Sequence, residues 1–150
     1  MVKKKLFDKC VGLLEESGLG ENAVCEVTWV FEDVAEGEDI TPEQEKRISD
    51  IVTRRCEGYP LQYLLGQWEF YGLPFKVGEG VLIPRQDTET IVDTALKMFA
   101  GKKDITVIDL CSGSGCIGIT LERKLDCGRA VCVDCLLYTS DAADDLIGVD

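Results

Sequence analysis

Ile105-Thr-Val-Ile-Asp-Leu-Cys-Ser-Gly-Ser-Gly-Cys-Ile-Gly118 is the stretch that decides the fold. Ile105 to Leu110 is a short apolar run rich in β-branched residues, with an acid, Asp109, at its end. Ser112, Gly113, Ser114 and Gly115 then make a turn with almost no side chains, after which Ile117, Ile119 and Leu121 resume an apolar pattern of helical type. The order is strand, glycine loop, helix. Glycine takes positive φ without strain and lets a ligand approach the backbone, and the start of the next helix presents unpaired N–H groups. About 20 residues on, a second apolar run, Ala130-Val-Cys-Val133, ends on Asp134, where an acid can grip ribose hydroxyls.

Two ligands compete for such a loop. Gly113-x-Gly115-x-x-Gly118 fits the dinucleotide fingerprint, which would make the chain an NAD-dependent oxidoreductase. A carboxylate at Asp109 repels a pyrophosphate, however, and tolerates a cationic centre. S-adenosylmethionine (AdoMet), with a sulfonium, an amino group and no phosphate, suits the loop better. A bare βα turn without a ligand is the bland alternative.

Working outward, 150 residues give one ordinary domain, or a small domain and part of another. No apolar run approaches the roughly 18 residues of a membrane span, and the basic start Met1-Val-Lys-Lys-Lys5 lacks the apolar region of a signal peptide. The expected location is cytoplasmic. A formal net charge of −12 makes direct binding of nucleic acid a poor expectation. The eight cysteines are scattered through apolar runs, which suits reduced thiols. Cys132-Val-Asp-Cys135 is a C-x-x-C, but no second pair has zinc-knuckle spacing, and we read core thiols and no metal site. The absence of histidine removes Ser-His-Asp, Cys-His and His-metal chemistry together.

Residues 3–17 are expected to be helical, with Leu6, Phe7, Cys10, Leu13 and Leu14 on one face and Ser17-Gly-Leu-Gly20 as the stop. Residues 21–35 fit a helix or a strand, and we favour the helix. Thr41-Pro-Glu-Gln44 reads as a capped helix start, with Ile48, Ile51, Val52 and Cys56 as the buried stripe and Gly58 as the end. Trp68 to Tyr71 and Leu73 to Val77 are expected to pair as a hairpin about Gly72, and Val81 to Ile83 to form another short strand closed by Pro84. Asp87 or Thr88 is expected to cap a helix running to Phe99, with Ile91, Val92, Ala95, Leu96 and Phe99 inward and Gly101 as its stop.

Three stretches together resemble the HemK/PrmC family, which methylates the glutamine amide of the Gly-Gly-Gln motif in peptide chain release factors. Pro60-Leu-Gln-Tyr-Leu-Leu-Gly66 with Trp68-Glu-Phe-Tyr-Gly72 is similar to the family's interdomain hairpin. Leu82-Ile-Pro-Arg-Gln-Asp-Thr-Glu89 is similar to its Ile-Pro-Arg-Pro-Glu-Thr-Glu segment, and Val107 to Gly115 to its AdoMet motif. The resemblance spans roughly residues 5–134 and implies an α/β protein. A small N-terminal helical domain that binds the release factor (1–58) comes first, then a β-hairpin linker (59–84). The truncated start of a Rossmann-like AdoMet-dependent methyltransferase sheet (85–134) follows. It implies that Cys111, Ser112, Gly113, Ser114 and Gly115 wrap the methionine part of AdoMet, with Asp109 under the loop and Asp134 on the ribose hydroxyls. It further implies that Arg85, Thr88 and Glu89 line the site, although Arg85 could equally be a surface ion pair and Thr88 only a cap. Cys111 stands where the family often has glycine, and a small thiol fits there if its φ stays negative.

The family's Asn-Pro-Pro-Tyr motif, which holds the substrate amide for in-line displacement, does not occur in these residues, so no catalytic residue is assigned. Residues 135–150 follow no helical period and read as a non-native tail, the translation of sequencing-adapter read-through, and the natural product is expected to run on. The expected activity of the parent protein is AdoMet-dependent methylation of the glutamine N5 in release factors, by a monomer without a membrane partner. The alternatives are a nucleic-acid amino methyltransferase and a non-catalytic module that binds release factors.

Overall fold

The computed structural model describes residues 3–35, 37, 39–125 and 127–134, with Cys127 described by its backbone alone. The expected non-native tail and Cys135 lie outside the described residues. The chain divides into two compact units, Met1–Leu65 and Gly66–Asp150.

Among its described residues the first unit holds four α-helices, α1 (Lys3–Leu14), α2 (Ala23–Val34), α3 (Pro42–Cys56) and α4 (Leu61–Leu65). Helix α1 ends three residues earlier than the expected 17 because the chain widens into a π-type turn over Glu15–Leu19, with Gly18 at φ 85°. The ambiguous stretch is helical as favoured, and its width explains the ambiguity. Ala23, Val27, Val30, Phe31 and Val34 are buried along α2, while Val24 and Trp29 stay exposed. The start of α3 is a full capping box: the Gln44 N–H donates to Thr41 Oγ1 at 3.2 Å and the Thr41 N–H donates to Gln44 Oε1 at 2.9 Å.

Helices α2 and α3 are tied at both ends. Gln44 Nε2 donates to the Val34 carbonyl at 3.1 Å, and Arg55 grips Glu26 in a bidentate pair of 2.6 and 2.9 Å. Leu6, Cys10 and Leu14 of α1, the stripe Ile48, Ile51 and Val52 of α3, and Leu61 of α4 complete the core. Leu13, expected inward, is 40% exposed, because on the helical wheel it stands beyond Leu6 at the edge of the buried stripe, away from Cys10 and Leu14. Pro60 to Leu65, read from sequence as part of the connection, contributes α4 to this unit.

The second unit begins with strands β1 (Gln67–Phe70) and β2 (Leu73–Lys76), antiparallel with Phe70 opposite Leu73. The two-residue turn between them places Tyr71 and Gly72 at φ 54° and 74°, both left-handed as a type I′ hairpin requires. The expected strand Val81 to Ile83 is not a strand: the Val81 N–H turns back to the Gly78 carbonyl at 3.0 Å, and Leu82 is 72% exposed. Pro84 next to it has no N–H to offer a ladder. Helix α5 (Glu89–Phe99) is entered through a 3₁₀ turn at Gln86–Thr88, and the Thr88 side chain makes no cap hydrogen bond. Val92 is buried on α5, whereas Ile91 is 53% exposed against the expectation that it faces inward. Strands β3 (Ile105–Leu110) and β4 (Cys127–Val133) run parallel, joined through helix α6 (Cys116–Lys124). Phe70, Phe75, Val92, Cys116, Ile119 and Leu121 form the core of this unit. No helix among the described residues is long and apolar enough to cross a membrane.

The Glu26–Arg55 pair is 13% and 17% exposed, so its two charge-assisted bonds are only weakly screened. Arg55→Ala is expected to lower the stability of the chain by roughly 1.5–3 kcal/mol in urea unfolding followed by circular dichroism. Arg55→Lys is expected to recover only part of that, since an ammonium cannot reproduce the fork.

Candidate cofactor-binding site

The site is built where β3 and β4 end and α6 begins. Parallel register sets Asp109 opposite Cys132 and Leu110 opposite Val133, so the chain reaches Asp134 directly across from the loop that follows β3. The loop folds on itself and on that second strand: the Ser112 N–H donates to the Val133 carbonyl at 3.1 Å and the Gly115 N–H to the Ser112 carbonyl at 2.9 Å.

Two carboxylates then take the remaining key donors. Asp134 Oδ2 accepts from the Gly113 N–H at 2.7 Å, and Asp109 Oδ2 accepts from the Gly118 N–H at 2.9 Å. The Ile119 N–H donates to the Gly115 carbonyl at 3.0 Å. The N–H groups of Gly113, Gly115 and Gly118, which in a phosphate-binding loop would point at a pyrophosphate, are therefore engaged within the protein, two of them by negative charge. The residues present do not suit a dinucleotide phosphate. They do suit a ligand whose charge near the loop is positive.

Each glycine has its own physical reason. Gly113 sits at φ 57° with nothing within 4 Å of where a Cβ would stand, so a ligand can approach it from that side. Gly115 takes φ 73° immediately before α6. Gly118 is a packing glycine: a Cβ there would lie 2.8 Å from Cys132 Sγ and 3.0 Å from Asp109 Cβ. Gly118 and Cys132 stand outside the residues expected to wrap the ligand, although the third glycine of the G-x-G-x-x-G spacing is the signal for tight helix–strand packing.

Cys111 has φ 59°, so the condition expected of it, a negative φ, is not met. A thiol-bearing residue is held in the left-handed region where the loop turns away from β3. Burial, with the charge of Asp109 adding to it, pushes the Cys116 thiol above its ordinary range, although the Ser114 side chain opposes this. Burial and then Asp109 do the same to Cys132. Both sulfurs stay protonated at neutral pH and offer no thiolate nucleophile. Among the described residues no cluster of cysteine, aspartate and glutamate could hold a metal ion.

Of the remaining expected residues, Ser112 and Gly113 are half-buried and Ser114 is buried within the loop. Arg85 is exposed and Thr88 half-buried, both at the entry to α5. Glu89 Oε1 accepts the Tyr71 N–H at 2.7 Å.

A parallel strand–loop–helix–strand unit with a carboxylate-braced glycine loop, preceded by a helical unit and a hairpin, defines the opening of a Rossmann-like α/β protein of the methyltransferase kind. Residues 25–66 match the PrmC N-terminal domain family. The chain is 35% identical over 140 residues to a release factor glutamine methyltransferase of Fusobacterium nucleatum, covering 86% of this chain and 39% of that protein. It is 38% identical over 142 residues to that of Geobacter sulfurreducens, covering 87% and 49% respectively. To that of Bacillus cereus it is 39% identical over 148 residues, covering 91% and 49%. The chain is thus similar in sequence to release factor glutamine methyltransferases, and it spans less than half the length of these relatives.

Two substitutions test this packing. Gly118→Ala is expected to destabilise the chain by roughly 1–3 kcal/mol through overpacking, and Cys132→Ala in the same chain to restore part of the loss. Cys111→Gly is expected to raise stability by roughly 0.5–1 kcal/mol, because relief of the left-handed strain exceeds the added freedom of the unfolded chain. Thermal unfolding checks both signs.

Proposed function

We propose that this chain is the N-terminal part of an enzyme that transfers a methyl group from AdoMet to the side-chain amide nitrogen of the Gly-Gly-Gln glutamine in peptide chain release factors. The substrate side of this reading is supported by the name its relatives share, release factor glutamine methyltransferase. The observation that carries the cofactor side is the occupation of the Gly113 and Gly118 N–H groups by Asp134 and Asp109, which favours a sulfonium ligand over a pyrophosphate. AdoMet, when bound, supplies a methyl group activated by the positive sulfur.

The roles of the chain's own residues are to bind and orient. Cys111 to Gly115 wraps the methionine part, with Asp109 bracing the loop from below. Asp134 recognises the ribose hydroxyls, and Arg85 and Thr88 border the site. The helical unit docks the release factor, the hairpin region (59–84) connects it to the cofactor-binding part (85–134), and 135–150 is a non-native tail. The enzyme works in the cytoplasm as a monomer, without nucleic acid or membrane as a partner.

The test begins with the source gene, sequenced past codon 134. The expected result is an open frame that reaches Asn-Pro-Pro-Tyr, whose product transfers labelled methyl groups from AdoMet to a release factor and not to DNA or RNA. The 150-residue polypeptide, which contains no such motif, is expected to transfer none. Methyl transfer to nucleic acid by the extended product, or loss of release-factor labelling only when residues outside Cys111 to Gly115 are changed, would overturn the proposal.

A further inference from the structure

We infer that Tyr71, Glu89 and Asp93 form a clasp that fixes the connection over residues 77–88, which makes Tyr71 a positioning residue for the cofactor site. Tyr71 is an outlier at its position. It occupies the first central place of a two-residue hairpin turn at φ 54°, where asparagine, aspartate or glycine is the favoured choice. A bulky side chain is kept in the left-handed region only when its surroundings over-determine it.

Three contacts do so. The Tyr71 N–H donates to Glu89 Oε1 at 2.7 Å, and its hydroxyl donates to Asp93 Oδ1 at 2.7 Å. Lys124 Nζ lies 5.7 Å from the centroid of its ring. Glu89 and Asp93 are four residues apart on α5, so their carboxylates share one face and a single residue of the hairpin spans a full helical turn.

The consequence falls on the chain between hairpin and helix. Its first end is held by the sheet, where Lys76 pairs with Gln67 and the Val77 N–H donates to the Gly66 carbonyl at 3.0 Å. Its second end is held at Glu89 by the clasp. In between, Val81 and Pro84 are buried, whereas Leu82 and Arg85 face solvent. Besides those two buried side chains, the segment is tied at its two ends. That segment carries Arg85 and Thr88, so the purpose given to the clasp rests on the cofactor reading above, while the clasp itself rests on the contacts.

Hydrogen exchange on the full chain separates the two. Tyr71→Phe and Asp93→Ala each delete the same bond. Each is expected to speed exchange of the Val81 and Thr88 amides roughly threefold or more. The double variant is expected to go no further than either single one, and Asp93→Asn to restore protection through its carbonyl oxygen. Amides of β3 and α6 are expected to keep their rates. Unchanged exchange at Val81 and Thr88, or an equal rise throughout β3 and α6, would overturn the clasp. Calorimetric titration with AdoMet is the second arm: Tyr71→Phe is expected to weaken binding about threefold, and an unaltered affinity would overturn the positioning role. A wild-type chain that binds no AdoMet would overturn the cofactor reading instead, with the exchange rates still deciding the clasp.

Discussion

One carboxylate, that of Asp109, sets the character of the loop. The side-chain alternation of β3 places it on the same side as Val107, toward α6, where it receives the Gly118 N–H inside the first turn of the helix. A negative charge at a helix N-terminus is favourable for the dipole and makes a charge-assisted bond. The same charge acts on its neighbours. It adds to burial in holding Cys116 and Cys132 as neutral thiols, and it repels a phosphate from the spot where a bare helix start would attract one. The loop's bracing thus rests on this side chain, which also adds to the burial that keeps the two thiols neutral.

The glycines show how a shared spelling hides different physics. The G-x-G-x-x-G spacing is the same in phosphate-binding loops, where the N–H groups serve the ligand. Here Asp134 and Asp109 stand in for that anion at Gly113 and Gly118. Gly118 is required by a sulfur and a Cβ that leave no room for a methyl group, which is a demand of helix–strand packing and not of a ligand. Gly113 is required by backbone conformation alone, and the open space above it is what a ligand can use.

Much of this was legible in the sequence because it is local. The capping box at Thr41 and Gln44, the turn at Gly72 and the strand–loop–helix run from Ile105 to Gly118 are each specified by residues within a few positions of one another. The readings that missed share a dependence on what lies across from them. Val81 to Ile83 has the composition of a strand, yet its backbone bonds close a turn. Thr88 has the residue type of a cap, but a preceding 3₁₀ turn already places it at helical φ and ψ, from which its hydroxyl makes no cap bond. Leu13 and Ile91 are apolar and in helical phase, and only the direction of the contact face shows that they turn outward. Cys111 could be matched to a family position without revealing its φ, since a side chain's identity does not report the backbone it is forced to adopt.

The outer face of the small parallel sheet bears on how the loop keeps its shape. Ile108 and Leu110 of β3 are 63% and 69% exposed and Val133 of β4 is 46% exposed, on strands that are apolar at most positions. Such runs belong to parallel strands covered on both faces. Cover for three aliphatic side chains contributes roughly 1.5–3 kcal/mol for each one fully buried, a large share of any domain's net stability. The loop does not draw on that term. Its bonds, from Ser112 to Val133, Gly113 to Asp134 and Gly118 to Asp109, all close within residues 105–134 and on the α6 side or the end of the strands. The geometry of the glycine loop is therefore a local property of the strand–loop–helix–strand unit, while the stability of that unit depends on what covers its other face.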